Sequence, residues 1–310
     1  MRASGFTTYG GTDVLRVVEL PDPVPGEGEI RVRVAGATVN PADLLFRSGG
    51  LAALIEGEAP WCGGLELAGV VDAVGPGATW SAGDRVAGMT AFIPGGRGAH
   101  AERVVVHSES VVRVPDGDDL VAWATLPMNG LTVRLALDTL ALPVGSTLLV
   151  TGAAGAVGQY AVSIGAADGL RVVAVAGAAD EAAVRGFGAE VFVPRGDDWA
   201  AAVRDAVPEG VDGAIDAALI GGPILAAIRD EGSLAVVRAF AGAPERGIHV
   251  AHVSVRQYLR SPEKLASLAA LVESGRLVPR VAETFPPERA AEAHERLAAG
   301  GVRGRLVLVF

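Results

Sequence analysis

The feature that most constrains the fold lies in the middle of this 310-residue chain, where six runs dense in Val, Leu, Ile and Ala follow one another: TLLVTG, RVVAVA, EVFVP, GAIDAA, SLAVV and HVAHVSV. They do not alternate apolar with polar residues, as one-sided strands do; continuous apolar runs suit parallel strands covered on both faces. Helical stretches, VGQYAVSIGAA, DEAAVRGFG and WAAAVRDAV, separate the earlier runs. Six strands joined in this way describe a doubly wound α/β sheet.

The flanks read differently. Up to about residue 120 the pattern is mostly β: Ile30, Val32 and Val34 alternate with Arg31 and Arg33, as in a half-buried strand. Short runs such as ELAGVVDAVG, GDRVAG, AERVVV and SVVRVP follow between Gly, Pro and Asp turns, which suggests a sandwich or barrel. Near Asp118 the rhythm changes, and ATLPMNGLTVRLALDTL reads as helix. After the six runs, Ser261 and Pro262 look like an N-cap and first helical residue opening PEKLASLAALVESG. A strand (LVPRVAETF), a helix (PERAAEAHERLAAG) and a last strand (RLVLVF) complete the chain. This length exceeds what one core usually serves, so two domains are expected.

Composition narrows the partners. A net charge of −10 argues against a nucleic-acid duplex or an anionic membrane surface, both of which reward a basic face. The single cysteine, Cys62, excludes an internal disulfide. The N-terminus lacks a secretory apolar core, and Gly, Asp or Arg interrupt the apolar stretches, so no membrane span is expected. A cytoplasmic protein is the default expectation.

The sequence LLVTGAAGAVGQYAV places a Gly-rich turn between the first apolar run and a helix. Gly155 and Gly158 occupy the last two positions of a G-x-G-x-x-G pattern, with Ala153 at the first. Gly155 lets the backbone approach a pyrophosphate, Gly158 lets helix and strand pack, and the helix N-terminus offers free N–H groups to the anion. Ala154, Gly155, Ala156 and Val157 are thus the expected phosphate contacts; a purely structural Gly-rich turn is the alternative. The next strand ends Val175, Ala176, Gly177 without the acid that usually binds an NAD ribose. Gly177 then leaves room for a 2′-phosphate, so NADPH is favoured, although Asp180 and Glu181 follow closely. Arg185 and Arg195 are possible phosphate partners, but either is more often a solvated surface residue.

The order of motifs resembles the zinc-free quinone oxidoreductase, or zeta-crystallin-like, branch of the medium-chain dehydrogenase/reductase superfamily. The matching elements are NPADLLFRSG (40–49), GLELAGVVDAVGPG (64–77), GDRVAG (83–88), GAHAERVVV (98–106), LPMNGLT (126–132), TGAAGAVG (151–158) and FPPERAAEAHERLAAGGVRGRLVLV (285–309). The resemblance implies a GroES-like catalytic domain over 1–121, completed by 261–310, and a Rossmann nicotinamide-binding domain over 122–260. It also implies a homodimer formed through the Rossmann edge strand. The family's zinc enzymes carry a Cys where Asn40 stands and a His where Leu65 stands. Glu66 remains without the other ligands, and the five histidines show no metal-ligand spacing. No metal is expected.

By the same resemblance Asn40 lies beside the nicotinamide or substrate; alternatively, Asn40-Pro41 simply caps a helix whose first turn holds Asp43. Thr132 resembles a position that bonds the cofactor, or is an ordinary helix-interior Thr. Asn129, polar within an apolar stretch, faces the substrate or serves as a helix N-cap. Val253, Ser254 and Val255 pass near the nicotinamide, or belong to a plain buried edge strand. His100 reads as a packed or surface histidine, and no proton donor stands out among Tyr9, Tyr160 and Tyr258.

Without a Lewis acid to stabilise an alkoxide, hydride delivery to an already electrophilic acceptor is the easier chemistry. The expectation is an NADPH-dependent reductase of a small conjugated carbonyl, a quinone or enone. An enoyl-thioester or polyketide-tailoring reductase, and a non-catalytic NADPH-binding protein, are the alternatives.

Overall fold

The computed structural model describes residues 1–238 and 240–310. The chain forms two compact units, one of residues 1–128, 259–269 and 279–310, the other of 129–258 and 270–278.

The first unit is β-rich. It contains β1 (Arg2–Phe6), β2 (Arg16–Glu19), β3 (Glu29–Thr38), β4 (Trp61–Cys62), β5 (Glu66–Val74), β6 (Arg85–Met89), β7 (Arg103–His107) and β8 (Val111–Arg113). Helices α1 (Pro41–Ser48) and α2 (Leu120–Trp123) accompany them. Alternation along β3 is kept: Ile30, Val32 and Val34 are buried, while Arg31 turns outward and pairs with Asp72 at 2.7 Å. Asp119 starts α2 by accepting the Val121 N–H at 2.8 Å. Helix α3 (Pro127–Leu140) follows after Ala124–Leu126 and lies within the helical stretch expected over residues 124–140.

The second unit holds α3 from Asn129 onward, then β9 (Thr147–Thr151), α4 (Ala156–Ala167), β10 (Arg171–Ala176), α5 (Glu181–Gly186), β11 (Val191–Pro194), α6 (Trp199–Ala206), β12 (Val211–Asp216), β13 (Ile228–Val236) and β14 (His249–His252). Its six strands are all parallel, in the order β11-β10-β9-β12-β13-β14. This is the doubly wound Rossmann order. Every residue of β9 is buried, as a central strand covered on both faces requires. Strand order reverses between β9 and β12, so the crevice outside their carboxyl ends is where this architecture binds ligands.

The chain then returns to the first unit through α7 (Pro262–Glu273), β15 (Val281–Phe285), α8 (Ala290–Ala298) and β16 (Arg305–Val309). Strand β16 pairs antiparallel with the C-terminal half of β3, extending a seven-stranded sheet that runs β15-β16-β3-β5-β6-β8, with β7 on the other half of β3. The final segment thus completes the GroES-like unit. The divisions between units fall after Met128 within α3, after Tyr258, after Ala269 within α7 and after Val278. The stretch Leu120–Leu140 passes by length and apolar composition for a membrane-crossing segment, but 72% of it is buried within the protein, as in a core helix.

Candidate functional site

The Gly-rich turn leaves β9 at Thr151. Gly152 adopts φ +61°, and Gly155 is the extended residue before α4. A Cβ on Gly158 would lie 2.2 Å from the Gly152 carbonyl oxygen, so only glycine lets the helix sit this close to the turn. At Gly155 the only neighbour of an added Cβ among the described residues is Gly152 O at 3.2 Å; its other side is open. The Gln159 N–H closes the first turn on Gly155 O at 2.9 Å. The amides of Ala156, Val157 and Gly158 precede that bond, where helices leave donors for an anion. Ala154 is buried beneath the turn, and Ala156 and Val157 are half-buried at its mouth. This backbone cradle fits a dinucleotide pyrophosphate.

At the end of β10 the structure brings a carboxylate close to the position read as neutral. Gly177 follows a strand with no acidic end, yet a Cβ there would sit 3.1 Å from Asp180 Oδ2. The 3₁₀ turn over Ala178–Asp180 folds that carboxylate back on Gly177, an effect invisible in linear spacing. Arg185 is already engaged, with Glu181 at 2.9 Å and with Glu190 O at 3.1 Å. Arg195 is different: its backbone N–H donates to Ala176 O, which sets it beside the end of β10 with its side chain exposed.

On α3, Asn129 is 4% exposed and its Nδ2 has no hydrogen-bond partner among the described residues. It is the third residue of the helix, so the N-cap alternative fails. Thr132 lies almost one turn further on, also buried. The edge strand is shorter than expected: β14 stops at His252, and Val255 opens a 3₁₀ turn. Val253 still donates to Val236 O at 2.9 Å, but Ser254 is exposed. The buried-strand alternative therefore does not describe residues 253–255.

The first unit gathers a buried polar cluster around Asn40. Asn40 precedes α1, and its N–H donates to Asp43 Oδ2 at 2.6 Å, the helix-capping arrangement anticipated as the alternative role. Its side chain is also committed: Oδ1 accepts from Arg305 Nη2 at 2.6 Å, and Nδ2 donates to Thr38 Oγ1 at 3.1 Å. Arg305 Nη2 meets Glu66 Oε1 and Thr38 Oγ1 as well, while Glu66 Oε2 accepts the Met128 N–H at 2.8 Å. Both Glu66 oxygens are thereby used on protein partners. Asp43 also receives the Gly64 N–H at 2.7 Å. Burial pushes the Asp43 carboxyl above its ordinary range, against the opposing pull of His100, the two amides and Arg305.

His100 is packed inside, its Nε2 against Thr38 O at 3.0 Å. Tyr9 stacks on Trp61, and Tyr258 donates to Asp138 at 2.7 Å. Among the described residues, no group of three His, Cys, Asp or Glu converges as a metal-ligand set. Sequence reading missed Arg305, Thr38, Thr151 and Asp216. Arg305 opens an ordinary strand, and its partners lie more than 200 residues away in sequence.

Residues 26–116 match the family model described as alcohol dehydrogenase GroES-like domain, and residues 187–308 the model described as zinc-binding dehydrogenase. A quinone oxidoreductase of Pseudomonas aeruginosa is 30% identical over 330 residues, covering 98% of this chain and 98% of its own length. The human quinone oxidoreductase is 28% identical, covering 100% of this chain and 98% of its own. Among solved structures, an NAD-dependent alcohol dehydrogenase aligns over 100% of both chains with TM-score 0.89 and 29% identity. A mycobacterial protein complexed with NADPH aligns over 100% of both chains with TM-score 0.84 and 29% identity.

Proposed function

The chain belongs to the quinone oxidoreductase branch of the medium-chain dehydrogenase/reductase superfamily, and on that premise we propose that it is an NADPH-dependent, metal-independent reductase of a quinone or enone. The observation that carries this reading is the orphaned Nδ2 of Asn129, a buried donor with no partner among the described residues. A buried amide left unpaired is costly, and a substrate carbonyl oxygen is an acceptor that would satisfy it. When bound, the nicotinamide supplies the hydride. Ala154, Gly155, Ala156 and Val157 hold the pyrophosphate on the backbone cradle, with Thr132, Gly177 and residues 253–255 as further cofactor contacts. Asn129 orients the acceptor and withdraws electron density from its carbonyl as hydride arrives. Asn40, fixed on all its polar atoms, is a rigid part of the first unit's buried polar cluster.

Arg195, placed beside the end of β10, supports NADPH as a partner for a 2′-phosphate. The Asp180 carboxylate beside Gly177 favours the competing choice, NADH. The same reading makes the protein a homodimer, built by pairing the open edge of β14 with its copy.

The test is turnover of NADPH and NADH with quinones, enones and enoyl thioesters, in the wild type and Asn129→Ala. Quinone or enone turnover, reduced about 10- to 100-fold in kcat/KM by the substitution, is the expected outcome. Tight dinucleotide binding without turnover of any acceptor would leave a binding protein instead.

A further inference from the structure

The carboxyl ends of β9 and β12 are tied together by two buried side chains that the reductase reading does not use. Thr151, the last residue of β9, is fully buried, and Asp216, the last residue of β12, is 2% exposed. Thr151 Oγ1 donates to Asp216 Oδ1 at 2.7 Å and accepts the Ala218 N–H at 3.2 Å. Asp216 Oδ1 also accepts the Ile220 N–H at 3.1 Å, and its Oδ2 accepts the Gly221 N–H at 2.9 Å. Three backbone donors of residues 218–221 therefore end on this pair.

None of these bonds belongs to the strand ladder, which backbone groups complete on their own. What they fix is a loop in an uncommon shape: Leu219 has φ +58° and Gly221 φ +74°. A leucine in the left-handed region persists only where its surroundings over-determine it. The loop also bears directly on the phosphate turn. A Cβ on Gly152 would stand 3.2 Å from Ala218 N and Cβ, and 3.3 Å from Ala217 C. Residues 217–221 and 152–155 thus leave the two strands at which the sheet order reverses, and they touch.

We propose that Thr151 and Asp216 form a positioning clamp that holds residues 217–221 and the Gly152 turn in the shape that receives the dinucleotide. Neither side chain needs to touch the ligand. They act by removing the freedom that both turns would otherwise lose on binding, so that less of the interaction energy is spent on ordering. This inference rests on the dinucleotide assignment made above.

The test compares wild type, Thr151→Val and Thr151→Ser, with Asp216→Asn as a second route should the valine variant not fold. Valine keeps the branched shape of the buried side chain and loses both hydrogen bonds; serine keeps the hydroxyl. Three quantities are measured: the dissociation constants of NADPH and NADH, amide exchange at Ala218, Ile220 and Gly221, and Tm. The clamp requires Thr151→Val or Asp216→Asn to weaken binding of the preferred dinucleotide about tenfold, with faster exchange at those amides, and Thr151→Ser to recover wild-type affinity. Lower Tm and faster exchange at unchanged affinity would make the pair purely structural and overturn the proposal. If wild-type protein binds neither dinucleotide, the cofactor assignment itself fails, and the clamp's role with it.

Discussion

His294 lies on α8 with both ring nitrogens buried and unpartnered. Burial, aided by the charges of His100 and Arg47, pushes its pKa down from 6.5 to about 3. Between those values the unfolded chain binds a proton that the folded chain refuses. Its contribution to stability is therefore whole above the unfolded value, is lost as pH falls toward about 3, and falls no further once both states are protonated. A shift of this size corresponds to roughly 5 kcal/mol over the full window, as an order of magnitude. His294→Phe should remove that slope while keeping stability at neutral pH, because no buried ring nitrogen is left unpaired. Urea midpoints for both proteins from about pH 7 to pH 4 provide the check; parallel curves would refute the assignment. How legible a residue's role is in sequence follows from how far its partners lie along the chain. Asp43 stands three residues from Asn40, and their link could be anticipated as a helix cap. Arg305 meets Asn40 across 265 residues and Asp216 meets Thr151 across 65, so no local pattern announces either.

At the scale of elements, the turn from β9 into α4 separates two uses of glycine. Gly158 serves packing, since its Cβ would strike the Gly152 carbonyl, whereas Gly155 serves approach, since its outer side is open. Gly158→Val should therefore lower Tm and weaken dinucleotide binding together, by an amount in the range of about 1–3 kcal/mol typical of overpacking. Gly155→Asp should leave Tm nearly unchanged and abolish binding, because it places a negative charge where an anion must sit. Thermal unfolding and dinucleotide titration of both variants separate these outcomes, and equal effects on Tm would sink the distinction. The β/α alternation was readable because buried parallel strands leave dense apolar runs, and β9, β10 and β11 lie within the expected segments. The ends of elements were less readable. Helix α3 begins at Pro127, three residues into the expected stretch, and β14 ends before Val253 because the chain turns into a 3₁₀ segment there. Spatial folding of a short turn also hid the approach of Asp180 to Gly177, on which cofactor choice bears.

For the whole molecule, the proposed homodimer would use the open edge of the six-stranded sheet. Strand β14 pairs on one side only, with β13. Val253 donates to Val236 O, so by alternation along a parallel strand Ala251 also faces β13, and the groups of Val250 and His252 point away from the sheet. An edge with unpaired donors and acceptors is a template for a second strand, and a two-fold pairing of β14 with its copy would satisfy them. Val250→Pro tests this without touching the ladder to β13, since the N–H it removes is one that points outward. The expected result is a monomer of unchanged fold by light scattering and circular dichroism, against a wild-type dimer. Charge gives an independent check, because each copy carries a net −10. Repulsion between two such copies is strongest where the Debye length is long, so the wild-type dimer should tighten as salt rises from about 0.01 M to about 0.15 M. A Val250→Pro protein that remains dimeric would move the interface elsewhere. A dimer that loosens with salt would instead require attractive charge pairs at its interface, which the apolar Val250–Ala251 step at the centre of β14 does not supply.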